Sequence, residues 1–511
     1  MLERFVRAID AQKAPRSFLI LGAWIFLRVF FEGLLEASHR IGYVPFSYKA
    51  VIIYFVHYPS FYLSLFLILV IVTALVIREK IQRVGSAFST CFGIVLFVPV
   101  FDWLIGYAYS ITYPLRIEPY LLSTFNPLVS MTEYGASPGQ RIVFALICIL
   151  TGIYAYFKTK KIMPAILLFV ITYLIIIILG GLPTIIAGNR PENFYVTGGI
   201  LYSDSQKYAA IFLLLSLGAS ILYGFLANPD SFRTMLASLR PERALFYGGV
   251  GIAGFILSLD KTNMVMRHLF PYLFDRIGIF ILGLCLSLGF QGAAGINDFY
   301  DTGGDRVTRP RNPLLKNINP HYYLAWTIML IAYALAFALL LNYVSFLTML
   351  SLIFISLIYS IPPVRLKRIP VISTFILAIA VMLSLAMGYS IRQGADAFKY
   401  LPGKLLIPIT VSITLGFSMK DLQDIEGDRQ CGILSLPIIF AKLFGSAIIP
   451  MAAIIALSFL VYPLFIPTTL TGAIIAAFTT AAYTVLVKNP REWLYFIVLY
   501  LFGAYLVFSI F

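Results

Sequence analysis

The chain is built from apolar runs, many of them long enough to cross a lipid bilayer. A helix rises about 1.5 Å per residue, so about 20 apolar residues match the hydrocarbon core. Along the 511 residues such runs fall at about 17–36, 50–77, 87–113, 141–157, 162–187 and 208–227. After a polar interval they resume at about 244–259, 277–296, 321–341, 343–361, 370–391, 404–419, 445–462, 468–487 and 492–510. The expectation is an all-α, polytopic transmembrane helical bundle with six spans in 1–228 and nine in 244–511. Between them, 229–243 (PDSFRTMLASLRPER) reads as a cytoplasmic linker or interfacial helix. Only 12% of residues are charged and 60% are hydrophobic, whereas soluble domains carry about twice that charge.

Several function classes fall away at this stage. The first run has no small-residue cleavage site after it and is read as a span, with no secretory leader. The four cysteines form no CxxC pair, against a disulfide framework or a zinc site. The four histidines lack metal-ligand spacing, and no glycine-rich nucleotide loop is present. The net charge of +15 is accounted for by basic loops on the cytoplasmic side of a membrane protein. Nucleic acid is therefore not an expected partner. With the N-terminus inside, 25 of the 38 Lys and Arg fall in inside loops and 12 in outside ones, with Arg28 in a span. The expected location is the cell membrane, multi-pass, with the N-terminus cytoplasmic.

Two acidic stretches follow spans at that cytoplasmic side. The first is NDFYDTGGDRVTRPRNPL, Asn297 to Leu314. Asn297, Asp301 and Asp305 lie at i, i+4 and i+8, within about 80° of one helical face, while Asp298 faces elsewhere unless the helix unwinds. The second is KDLQDIEGDR, Lys420 to Arg429, with Asp421, Asp424 and Asp428 close to one face and Glu426 off it. Clustered carboxylates raise one another's pKa unless a cation neutralises them, and hard oxygens suit Mg²⁺. The basic residues beside them (Arg306, Arg309 and Arg311 in the first stretch) suit phosphate oxygens. The chemistry that fits is release of diphosphate from an allylic lipid in an apolar chamber that excludes water.

Those residues carry a resemblance. From about 231 to the end the chain resembles the UbiA family of intramembrane prenyltransferases. Asn297, Asp298, Asp301 and Asp305 match its NDxxDxxxD motif, and Asp424 and Asp428 match its DxxxD motif. YSIPPVRLKR, Tyr359 to Arg368, is similar to its tyrosine–proline–basic loop. The resemblance implies a helical bundle with a central cavity and Mg²⁺ bridging a polyprenyl diphosphate, such as geranylgeranyl diphosphate. It implies Asn297, Asp301, Asp305, Asp424 and Asp428 as metal-holding catalytic residues, with Asp298 and Asp421 in support. Arg306, Arg365, Lys367, Lys420 and Arg429 become candidates for diphosphate contact. Within the family the stretches look most like the archaeal ether-lipid (geranylgeranylglyceryl phosphate) and chlorophyll-synthase branches, although Gln423 stands where an acid is frequent. An aromatic or quinone-precursor acceptor is the alternative to a lipid acceptor. From another class, the rival is an ion-coupled transporter.

The first 230 residues lie outside the resemblance. Their polar features are Arg28 with Glu32 at i+4, His57, Asp102 beside Trp103, and the loop Asn126 to Arg141. Ionisable groups inside a membrane span call for a functional reading first. Arg28 and Glu32 also read as a self-neutralising pair.

Overall fold

The computed structural model describes residues 14–36, 47–105, 113–114, 117–118, 137–188, 199–259, 272–302, 305–306, 312–316, 318–423, 425–430, 432–487 and 490–510. Every regular element among them is helical. Thirteen helices in the described residues are long and apolar enough to cross a membrane. The runs expected near 244–259 and 445–462 form shorter helices, Pro241–Leu257 and Ile448–Leu464. The run expected at 87–113 is a helix from Ile81 to Leu104. Polar residues of its first turns, Gln82 and Arg83, are missed by counting apolar residues alone.

The chain divides into two compact units, 1–232 with 272–274, and 233–271 with 275–511. Of the linker expected at 229–243, Pro229–Ala237 is helical and Pro241 already begins the next helix.

The first unit holds α1 (Ala14–Phe31), α2 (Tyr48–Ile77), α3 (Ile81–Leu104), α4 (Pro138–Thr159), α5 (Ile162–Ile186) and α6 (Asp204–Ala227). Its core forms where α2 meets its neighbours, through Leu65, Leu69, Val98, Val143 and Phe212. Helix starts are specified locally. Ser137 and Gln140 form a capping box at α4, and Ser203 and Gln206 form one at α6, each satisfying orphan N–H groups of a first turn. Asp102 adds to the cap of α4, accepting from Ser137 Oγ (2.5 Å) and from Gly139 N (2.7 Å). Of the loop expected at 126–141, residues 126–136 lie outside the described residues. Arg28 and Glu32 are buried and paired at 2.6 Å, and Tyr58 Oη donates to Glu32 at 2.6 Å. His57 is buried and bonded to Tyr113 Oη at 2.9 Å.

The second unit holds α7 (Pro241–Leu257), α8 (Leu273–Tyr300), α9 (Pro320–Leu341), α10 (Tyr343–Ser360), α11 (Ile372–Gln393) and α12 (Gly403–Gly416). After α12 a tighter 3₁₀ turn, Phe417–Leu422, leads into α13 (Ile425–Gln430) and α14 (Leu436–Phe444). Then follow α15 (Ile448–Leu460), α16 (Leu470–Leu486) and α17 (Glu492–Ile510). Asn319 and Asn342 cap α9 and α10 through their side-chain oxygens. α7 lies along α11 with backbones nearly touching: a Cβ on Gly388 would come 1.8 Å from the Gly251 carbonyl oxygen. Lipid offers little driving force between apolar helices, so close backbone approach at small residues supplies the packing. Phe246 of α7 meets the rings of Phe417 and Phe496, which ties the 3₁₀ turn after α12 and α17 to the same seam.

Candidate active site

The second unit encloses a cavity of about 240 Å³, lined by the C-terminal ends of α8 and α10, by the N-terminal ends of α7, α11 and α17, and by the 3₁₀ turn after α12 together with α13. Alternating chain direction brings these ends to one side. Along α8 the lining runs Leu286, Phe290, Ala293, Asn297, Asp301, positions three or four apart and hence on one face. At 1.5 Å per residue, Leu286 lies about 22 Å from Asp301 along the helix. α10 repeats the gradient from Met349 and Ile353 to Tyr359 and Ser360. The cavity is apolar in its depth and ionic at its mouth, a shape suited to an amphiphile.

The mouth brings together Asn297, Asp301 and Asp305 from the first acidic stretch with Lys420, Asp421 and Asp428 from the second, and Arg365 and Lys367 from the basic loop. Their bonds form a connected array. Asn297 Nδ2 donates to Asp301 Oδ2 (2.5 Å), and Ser360 Oγ donates to Asn297 Oδ1 (3.1 Å). Asp301 Oδ1 accepts from Arg365 Nη2 at 2.9 Å and also from Lys367 Nζ. Asn312 Nδ2 donates to Asp305 Oδ2 at 2.8 Å, and Lys420 Nζ donates to Tyr359 Oη at 2.7 Å. Arg365 holds this pose with a left-handed backbone, φ 40°, a conformation that costs a non-glycine residue about 1 kcal/mol or more.

Burial raises the pKa of Asp301. The charge of Lys367 and the hydrogen bonds from Lys367 and Arg365 outweigh it, holding the carboxyl below its ordinary range. Burial acts in the opposite sense on Lys367. With Arg365 and Lys420 nearby it outweighs the attraction of Asp301, so the ammonium lies below the usual lysine value. Among the described residues no group of three or more His, Cys, Asp or Glu side chains converges on a common point; Lys367 and Arg365 instead neutralise Asp301. Its donor set of hard oxygens with balancing cations fits a divalent ion arriving with an anionic ligand.

The remaining expected residues fall elsewhere. Asp298 is buried, with its carboxylate bonded to Arg240 (2.5 Å) and Tyr323 (2.8 Å), and it does not line the cavity. The helix stays wound through Asn297 and Asp298, so the one-residue rotation turns it away. Arg306 is exposed, and Arg429 is exposed beside Glu426 at 3.9 Å. Asp424, Arg309 and Arg311 lie outside the described residues. Sequence reasoning missed Arg240, Arg243 and Tyr247, which line the cavity from the start of α7. Glu492 holds Arg243 in a two-pronged pair at 2.5 and 2.9 Å. A signal was present: Arg240 and Arg243 directly precede a span at the side where the acids were expected. A transporter would place such groups near the bilayer midplane on broken helices, whereas these stand at helix ends.

The chain is similar to several known proteins. The family model described as the UbiA prenyltransferase family matches residues 267–510. A digeranylgeranylglyceryl phosphate synthase of Thermococcus gammatolerans is 28% identical over 213 residues, 41% of this chain and 70% of that protein. The chloroplastic 2-acylphloroglucinol 4-prenyltransferase of Humulus lupulus is 34% identical over 176 residues, 32% of this chain and 42% of that protein. Among solved structures, a UbiA homologue from Archaeoglobus fulgidus bound to DMAPP and Mg²⁺ is 21% identical. It covers 54% of this chain and 100% of its own, with a TM-score of 0.39.

Proposed function

We propose that the chain, whose residues 267–510 match the family model described as the UbiA prenyltransferase family, is a Mg²⁺-dependent prenyltransferase that moves a prenyl group from a polyprenyl diphosphate to a lipid acceptor. The observation that carries this reading is a cavity with an apolar depth and a mouth where both acidic stretches meet the basic loop. The acceptor we favour is a glycerol phosphate ether lipid of the geranylgeranylglyceryl phosphate type. Similarity to the digeranylgeranylglyceryl phosphate synthases over about two thirds of their length supports it.

Asn297, Asp301, Asp305, Asp421 and Asp428 would hold the metal, with Asp424 of the matching motif. When bound, Mg²⁺ polarises the diphosphate and neutralises the charge it gains on leaving. Lys367, Arg365 and Lys420, which line the mouth, would take diphosphate oxygens as the bond to the prenyl C1 breaks. The rings of Tyr247, Phe290, Tyr359, Phe417 and Phe496 face the cavity. They would shield the allylic cation from water and stabilise it through their π faces. The acceptor hydroxyl would then bond to C1, its proton passing to an oxygen of the released diphosphate. By the positive-inside bias, the mouth opens to the cytoplasm.

The test is diphosphate release by the full-length protein in lipid, with geranylgeranyl diphosphate, lipid and aromatic acceptors, and Mg²⁺ or EDTA. An Asp301→Ala/Asp424→Ala double variant serves as control. Metal-dependent ether-lipid product, reduced at least about 100-fold in the variant, is the expected result. Product only with an aromatic acceptor moves the assignment to that branch. No release by folded protein under any condition overturns the reading.

A further inference from the structure

Asp298 belongs to the first acidic motif, yet it is only 3% exposed and both of its carboxylate oxygens are engaged behind the cavity wall. Oδ1 accepts from Arg240 Nη2 at 2.5 Å, and Oδ2 accepts from Tyr323 Oη at 2.8 Å. To ligate a metal it would have to give up both charge-assisted bonds and turn about the helix. Its partner Arg240 precedes α7 and lines the same cavity as Asn297 and Asp301. Tyr323 is itself buried on α9, against the ring of Phe299 at 5.4 Å. The order is therefore Tyr323 to Asp298 to Arg240 to cavity, three elements converging on one guanidinium.

We infer that Asp298 and Tyr323 are positioning residues that aim Arg240 at a phosphate group of a lipid substrate, with Asp298 taking no part in metal ligation. This rests on the prenyltransferase reading. The bond to Asp298 uses one of the several N–H donors of the guanidinium, whose planar fork suits two phosphate oxygens at once. A carboxylate behind the guanidinium fixes its plane and offsets its charge in the empty site. Arg240 is not among the motif residues named from the sequence. Two phosphate groups could be its target, the diphosphate of the donor or the phosphate of the acceptor lipid.

The test uses full-length protein in nanodiscs, with Asp298→Asn, Arg240→Gln, their double variant, Tyr323→Phe and, for comparison, Asp301→Asn. Mn²⁺ binding is followed by EPR, inorganic diphosphate binding by calorimetry, and KM and kcat for donor and acceptor by product formation. Asp298→Asn and Arg240→Gln are each expected to leave Mn²⁺ affinity within about twofold. Each should raise KM for one phosphate-bearing substrate about tenfold, the size of one lost hydrogen bond to a charged group. The double variant should be no worse than Arg240→Gln, and Tyr323→Phe should raise the same KM by about threefold. A rise on the donor arm assigns Arg240 to the diphosphate, and one on the acceptor arm to the acceptor phosphate. Loss of Mn²⁺ binding in Asp298→Asn matching that in Asp301→Asn, or multiplying effects of Asp298→Asn and Arg240→Gln, overturns the inference. Should Asp298→Asn fail to fold, an unchanged KM in Tyr323→Phe overturns it equally. If the wild type turns over no substrate, the prenyltransferase reading fails. Binding of inorganic diphosphate and of glycerol phosphate then decides the aiming of Arg240 by itself: if either is weakened about tenfold in both Arg240→Gln and Asp298→Asn it stands, and if both are bound equally by all variants it falls.

Discussion

Single side chains divide between two kinds of buried charge. In the second unit, ionic groups gather at the mouth of a cavity and stay partly accessible: Asp301 and Lys367 keep 16% and 9% of their side-chain surface. In the first unit, Arg28 and Glu32 keep 2% and 1%, and Glu32 is also held by Tyr58. A buried pair of this kind is costly to break because the surviving charge is left uncompensated. Arg28→Leu is expected to destabilise the chain by about 3–5 kcal/mol, and Arg28→Leu/Glu32→Leu to restore most of the loss. Thermal unfolding in detergent reads both; equal Tm values for single and double variants would reject a self-neutralising pair. At this scale much was legible. The 100° step per residue turns Asp298 off the face of Asn297 and Asp301, as the structure has it, although the motif resemblance had placed it in support of the metal. Asn297, Asp301, Asp305, Asp421 and Asp428 line the cavity, while Asp424 lies outside the described residues. Tyr323 was not legible, and Arg240 only by its place just before a span, because their part depends on which spans become neighbours, and single-residue periodicity carries no such information.

The helices themselves were readable from apolar length, and their ends were less so. Polar first turns lie outside any count of apolar residues, which is why α3 begins at Ile81 and not near 87. Partner choice was not readable at all. In lipid an aliphatic face has no preferred direction, so α7 and α11 are matched by shape: Gly251, Gly254 and Gly388 let their backbones meet. A methyl group on Gly388 would sit 1.8 Å from the Gly251 carbonyl oxygen, and one on Gly254 would sit 2.0 Å from that of Leu385. Gly388→Ala must therefore spread the two helices, at a cost of about 1–3 kcal/mol. Because α7 also carries Arg240, Arg243 and Tyr247 to the cavity, the same variant is expected to raise substrate KM. Thermal unfolding and product kinetics on one preparation check this; an unchanged Tm and KM would show the crossing to be looser than described. Gly249→Ala, where an added Cβ meets only Tyr500 at 3.8 Å, is the matched control.

For the whole molecule, the bias of Lys and Arg predicts which loops share a side. Arg368 follows α10 and Lys399 follows α11, and both are exposed. With the four native cysteines replaced, Arg368→Cys should react with a membrane-impermeant maleimide only in inverted vesicles, and Lys399→Cys only in right-side-out ones. The reverse pattern would invert the topology and move the cavity mouth out of the cytoplasm. The family match begins at residue 267, after α7, so a chain cut to the matched residues would keep both acidic motifs and lose one wall of the site.

The ionic array at the cavity mouth has a thermodynamic corollary. Lys367 and Arg365 are already bonded to Asp301, so a metal ion arriving alone must displace cations, and a diphosphate arriving alone draws those cations off a carboxylate that then has no counter-charge. When both arrive, the cations turn to phosphate and the carboxylate turns to metal, and every charge keeps a partner. Under the proposed function, metal and diphosphate are therefore expected to be cooperative ligands, each raising the other's affinity by the same factor. In the Mn²⁺ titrations above, that cooperativity is tighter ion binding whenever diphosphate is present. The enzyme at rest thus holds its ions in reserve against itself, and only the complete substrate complex releases them.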